Sequence, residues 1–171
     1  MAKSRKCKVK ELCDKGFEFL TQEKYEEALK CFDEIFKKDK ECLLAFQGKG
    51  EALYELSRLK ESMDCFTELI KLDTDNSEAW RSKGDVLDSL GKHEISIIYQ
   101  EKAISLDLHN YFAWVGKATA LYNLEKYDDS IECCELAISI SPKGVYAWSV
   151  KGDALSILGR DEEACKAFSN T

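Results

Sequence analysis

The 171-residue sequence has one proline, two histidines and two methionines, and none of its eight cysteines forms a Cys-x-x-Cys pair. With His93 and His109 as the only imidazoles, no ligand spacing supports a zinc site. The adjacent Cys133 and Cys134 would point about 100° apart on a helix and chelate poorly. A Gly-rich phosphate loop, a Gly-x-Ser-x-Gly elbow and a histidine beside spaced carboxylates are all missing, so no catalytic centre stands out. No stretch approaches the roughly 18 uncharged apolar residues of a membrane span. Met1-Ala2-Lys3-Ser4-Arg5-Lys6-Cys7 also lacks the apolar core of a secretion signal. These absences predict a cytoplasmic, non-enzymatic chain with reduced thiols, no cofactor and no metal.

What is present is 44% hydrophobic and 33% charged residues with a net charge of −7, enough apolar content to bury a core. The order of those residues is periodic. Trp80, Trp114 and Trp148 fall 34 residues apart, and Lys15, Lys49, Lys83, Lys117 and Lys151 follow the same comb. So do Gly16, Gly50, Gly84 and Gly152, with Ala118 in the remaining place, and Ala45, Ala79, Ala113 and Ala147. Several registers sharing one period define an internal repeat. The frame is a basic leader 1–8, full units 9–42, 43–76, 77–110 and 111–144, and a partial unit 145–171.

Within each unit the apolar pattern is helical, as in Ala79, Trp80, Gly84 and Leu87, and after a break in Ile95, Ile98, Tyr99, Ala103 and Leu106. Each unit therefore reads as two helices. Gly91 and Gly159 fit a left-handed cap at the end of a first helix, while Asn76 and Asn110 fit N-caps of the next. Pro142 lies in the loop between units, where it breaks no helix. One 34-residue hairpin buries too little alone, so stacking neighbours must supply the core.

This pattern resembles the tetratricopeptide repeat family. Ala79-Trp80-Arg81-Ser82-Lys83-Gly84, Ala113-Trp114-Val115-Gly116-Lys117-Ala118 and the second-helix segment Tyr25-Glu26-Glu27-Ala28-Leu29-Lys30-Cys31-Phe32 carry the resemblance. Departures are Leu12 and Phe46 in place of tryptophan, and Lys40, Thr74 and Leu108 where the family closes its unit with proline, as Pro142 does. The resemblance implies an all-α, right-handed superhelical solenoid of helix-turn-helix units. It also implies a protein-interaction scaffold that binds a peptide or partner protein in the groove lined by the first helices.

Counting at i, i+4 and i+7 on the face opposite the Trp/Gly stripe assigns Gln47, Glu51 and Tyr54 to that groove. It also assigns Arg81, Asp85 and Asp88, then Val115, Thr119 and Tyr122, then Ser149, Asp153 and Ser156. Leu44, Phe112 and Tyr146 are expected near one rim. Mixed aromatic and acidic lining suggests a partner segment with Lys or Arg and a few apolar anchors. The alternative is that the acids form only a solvated helix face. The family's binding of chaperone C-terminal carboxylates is not expected, because neither Cys13, Phe17, Gly48, Glu78 and Ser82 nor Gln47, Glu51, Ser82, Phe112 and Gly116 supplies the cations that task needs.

Cys31, Cys65 and Cys133 share one second-helix register, with Cys165 two residues earlier in its unit, and this set is expected to fill core. Lys3, Arg5, Lys6, Lys8 and Lys10 make the leader basic. It is read as a flexible solubilising end that turns helical toward Val9, since the acidic body would repel nucleic acid. The last unit stops seven residues short of a repeat, so Leu155, Leu158, Ala164, Ala167 and Phe168 are expected to form an apolar edge. That edge would be completed by another molecule, as in a homo-oligomer, or belong to a truncated end. A docking subunit of a catalytic complex is the remaining alternative.

Overall fold

The computed structural model describes residues 2–171, with side chains described from Lys8 onward. Its elements are α1 (Ala2–Thr21), α2 (Tyr25–Phe36), α3 (Leu43–Glu55), α4 (Leu59–Leu72), α5 (Ser77–Ser89), α6 (His93–Leu106), α7 (Tyr111–Asn123), α8 (Tyr127–Ile140), α9 (Val145–Ile157) and α10 (Asp161–Phe168). Among the described residues there is no strand. The helices group into two compact units, Met1–Asp75 and Asn76–Thr171.

In the first unit α1 packs on α2, α3 on α4, and α3 also touches both helices of the preceding hairpin. The second unit repeats the arrangement with α5/α6, α7/α8 and α9/α10. Amphipathic spacing explains which faces meet: α2 buries Ala28, Leu29, Cys31, Phe32 and Ile35, and α4 buries Ser62, Cys65, Phe66 and Leu69. Two fully buried serines tie second helices to first: Ser62 Oγ donates to the Gly50 carbonyl at 2.7 Å, and Ser130 Oγ to that of Ala118 at 2.8 Å. Neighbouring hairpins are joined by Lys49 on Asp33 (2.7 Å), Lys117 on Glu101 (2.8 Å) and Lys151 on Glu135 (2.7 Å). Each pair is partly exposed and contributes under about 1 kcal/mol, so these bonds orient helices more than they hold them.

The turn inside every hairpin has one geometry. Glu23 (φ 58°), Ser57 (58°), Gly91 (72°), Glu125 (59°) and Gly159 (71°), each 34 residues apart, are left-handed. In each, the following amide reaches back to a first-helix carbonyl, as from Lys24 to Phe19 (2.9 Å) and from Lys92 to Leu87 (2.9 Å), closing a Schellman motif. Repetition thus imposes the left-handed state even where the residue is Glu or Ser, which the glycine-only reading of the sequence missed.

At the other junction Asn76 Oδ1 accepts from the Ala79 amide and Asn110 Oδ1 from that of Ala113, both at 3.0 Å. Gly144 has no side chain for this task, and the Tyr111 hydroxyl accepts from the Ala147 amide instead, at 3.0 Å.

Three expectations are corrected. α1 begins at Ala2 rather than near Val9, while the side chains of Lys3, Arg5, Lys6 and Cys7 in the basic leader lie outside the described residues. Cys165 is exposed, because Ala167 occupies the buried register of Cys31, Cys65 and Cys133. Leu155, Ala164 and Ala167 are buried where α10 folds onto α9, which leaves Leu158 at 38% and Phe168 at 40% exposure as what remains of the apolar edge.

A left-handed conformation costs an L-residue about 1–2 kcal/mol relative to glycine. Replacing Glu23, Ser57 or Glu125 by Gly is therefore expected to raise stability by about 1 kcal/mol each in urea unfolding, and Gly91→Ala to lower it similarly. Equal stabilities across these variants would contradict the strain assigned to the three turns.

Candidate functional site

Within the second unit α7 packs against both α5 and α9, whereas α6, α8 and α10 have no Cα atoms within 8 Å of one another among the described residues. First helices in contact with second helices splayed apart make the first-helix side the inner, concave one. The residues assigned to a groove in this unit differ in exposure. Phe112 (52% exposed) and Tyr146 (61%) open to solvent with ring centroids 6.3 Å apart. The Arg81 guanidinium covers the Phe112 ring at 5.8 Å. Val115, Thr119 and Ser149 are half-buried, Asp153 and Ser156 exposed. The Thr119 hydroxyl donates to the Val115 carbonyl at 3.0 Å.

The acids expected to meet a basic ligand make bonds inside the fold. Arg81 pairs with Glu78 and with Asp85 on the turns before and after it. Asp85 Oδ1 also accepts from Gln100 Nε2 at 2.7 Å. Asp88 lies 2.7 Å from His93 Nδ1 and accepts from Asn123 Nδ2 at 3.1 Å, a bond that ties α5 to α7. In the next hairpin the equivalent pair is aromatic: Tyr122 meets Tyr127 edge to face at 5.5 Å and packs on the core formed by α8, α9 and α10. Asp88 and Tyr122 thus both brace the start of their second helix.

Gln100 was not anticipated. It is fully buried on α6, in the register that holds Phe32, Phe66 and Phe168 elsewhere, so the broken comb was its only signal. Its amide lies against Gly84 and Gly116, where any Cβ would collide with it. Gln100 Oε1 and Ser96 Oγ, one turn apart and buried, have no hydrogen-bond partner among the described residues. The result is a polar floor beneath the α5/α7 face, where three other hairpins have a phenyl ring and the fourth has Cys134.

Burial raises the Asp85 carboxyl from the ordinary aspartate value to about 6. The Arg81 charge and the Gln100 hydrogen bond oppose that rise, and Glu78 and Asp88 add to it.

In the first unit Gln47 Nε2 donates to Glu51 Oε1 at 3.1 Å, and Tyr54 is half-buried near the end of α3. Leu44 is 52% exposed on the first turn. Burial pushes the thiols of Cys65 and Cys133 up to about 11 and that of Cys134 to about 12, as expected of inert core sulfurs. A depression lined by Glu125, Lys126, Tyr127, Asp128, Asp129 and Leu158 lies at the hairpin turn. Among the described residues no three His, Cys, Asp or Glu side chains converge as metal ligands would, and no helix is long and apolar enough to cross a membrane.

Family models described as tetratricopeptide repeat match residues 13–73, 77–110 and 113–143, most of the chain. The chain belongs to the tetratricopeptide repeat family. No curated protein sequence matches it significantly. Among solved structures, this tetratricopeptide protein resembles MamA (21% identity, 95% of this chain and 89% of that one, TM-score 0.75). It also resembles MamA from residue 41 to the end from Desulfovibrio magneticus RS-1 (20% identity, 95% and 92%, TM-score 0.78). A third is YrrB, described as a TPR protein with an unusual peptide-binding site (18% identity, 93% and 82%, TM-score 0.67). At these identities the likeness establishes the shared all-α repeat fold.

Because Asp85 holds its proton more tightly folded than unfolded, stability is expected to rise as pH falls from 7 through 6 toward 4, and this rise should vanish in Asp85→Asn. Carboxyl carbon NMR should place the Asp85 midpoint near 6. A midpoint near 4 would show that Arg81 outweighs burial.

Proposed function

We propose that this tetratricopeptide protein is a non-enzymatic scaffold that binds a peptide or a segment of a partner protein on the concave face of its first helices. The observation that carries the reading is the exposed aromatic pair Phe112 and Tyr146 beside Arg81, on α5, α7 and α9, which pack in succession. Large rings and arginine concentrate binding energy at interfaces, because they supply contact area at small entropic cost. The peptide-binding site named for YrrB, whose fold is similar, agrees with this use of the scaffold.

Residues differ in role. Phe112 and Tyr146 are the anchors, Val115, Thr119 and Ser149 line the floor, and Arg81, Asp85 and Asp88 fix the shape of that floor through their internal bonds. Asp153, exposed on α9, is the acid left to select a Lys or Arg in the ligand. Gln47, Glu51 and Tyr54 provide the corresponding face of the first unit.

Selection of a random peptide library on the full chain tests the proposal. Enriched peptides should carry apolar side chains with Lys or Arg. Phe112→Ala and Tyr146→Ala should each weaken binding about tenfold or more, and Asp153→Lys should select against the basic peptides. Failure to enrich any sequence, or unchanged affinity in both aromatic variants, would refute this use of the face.

A further inference from the structure

The outer surface of α6 breaks the pattern of the other second helices. Ile95 and Ile98 are 44% and 62% exposed, three residues apart and so on one side of the helix. At the position of Ile95 the other hairpins carry Glu27, Glu61, Asp129 and Glu163. At that of Ile98 they carry Lys30, Asp64, Glu132 and Lys166. Bulky apolar side chains thus replace charge on a face that water reaches, while the opposite face of α6 buries Ser96, Gln100, Ala103 and Ile104. The exposed residues Gly91, Ile95, Ile98, Lys102 and Ser105 also follow one another at alternating steps of four and three, the spacing by which one helix lies along another.

We propose that this face pairs with the same face of a second copy of the chain, α6 against α6, antiparallel across a two-fold axis at Ile98. Charge selects both the occupant and the orientation. Glu94 and Lys102 are exposed and lie four residues either side of Ile98, about 6 Å along the helix in each direction. Antiparallel pairing brings Glu94 of each copy level with Lys102 of the other, whereas parallel pairing would set like charges together. Ile98 then meets Ile98, and Ile95 lies along the aliphatic stem of Lys102 in the second copy. Gly91 and Ser105 come level at the two ends, where their small size allows close approach. Glu101 is already engaged by Lys117 at 2.8 Å. Lys102 stands 6.0 Å from the Trp80 ring, the outer limit of a cation–π contact, which a carboxylate across the axis outcompetes.

A single helix pair buries less than the roughly 1,200 Å² at which standard interfaces begin, so association is weak and depends on concentration. The pairing uses none of the residues assigned to peptide binding and does not depend on that reading.

Sedimentation equilibrium of the full chain tests the pairing, with dithiothreitol present so that the exposed Cys165 forms no disulfide. The expected result is a reversible monomer–dimer equilibrium with dimer evident by about 1 mM chain, where even a millimolar constant leaves half the chains paired. Ile98→Glu, at an exposed position, should leave the circular dichroism unchanged and weaken dimerisation about tenfold or more. Glu94→Lys and Lys102→Glu should each weaken it, and the two exchanges combined should restore it. These residues lie about 12 Å apart along one helix, too far to pair within a chain, so rescue requires a second copy. A chain that stays monomeric, a dimer indifferent to Ile98→Glu, or single exchanges that the double exchange does not rescue would overturn the assignment.

Discussion

The fold depends on how one side chain of each second helix wedges against the first helices beside it. Phe32, fully buried, fills the space over Gly16 and Gly48, and a Cβ on Gly16 would lie 2.7 Å from the ring. Phe66 occupies Gly50 in the same way, and Phe168 occupies Gly152. The sum of volumes is what is kept. Where the first helix has Ala118 in place of glycine, the wedge shrinks to Cys134, and Val150 of the next first helix packs on the same cluster. Interiors packed near crystal density tolerate little else, so the size of the wedge and the size of its seat vary together along the chain.

Much of this architecture was readable in the sequence because repetition makes weak signals add. One Trp, Gly or Lys means little, but Trp at three, Gly at four and Lys at five equivalent positions together fix period, hairpin number and the faces that pack. Asn76 and Asn110 were legible as caps for the same reason. Features that break the comb were not legible. Glu23, Ser57 and Glu125 carry no local sign of a left-handed backbone; the geometry is imposed by the Schellman bonds around them. The Tyr111 hydroxyl capping α9 depends on contact between residues 36 apart, which no local pattern encodes.

The candidate site was half legible. Helical periodicity picked out Phe112 and Tyr146, whose rings are exposed and 6.3 Å apart. It could not say which acids remain available, since that turns on partners from other helices. Asp85 meets Gln100 of α6, and Asp88 meets His93 and Asn123, so charge read as ligand-directed is engaged within the fold. Gln100 shows how the scaffold varies its inner surface: one polar wedge in a register otherwise held by Phe or Cys converts an apolar floor into a hydrogen-bonded one, held between Gly84 and Gly116.

The size matching of wedge and seat is tested most directly by Gly48→Ala in urea unfolding. Helix propensity alone favours alanine by about 1 kcal/mol. The Phe32 ring, with Cε1 and Cε2 2.7 and 2.8 Å from the added Cβ, should reverse that sign. The expected result is a net loss of stability of about 1–2 kcal/mol, partly recovered when Phe32→Leu is added to the same chain. A Gly48→Ala protein more stable than the parent, with no coupling to Phe32, would contradict the account.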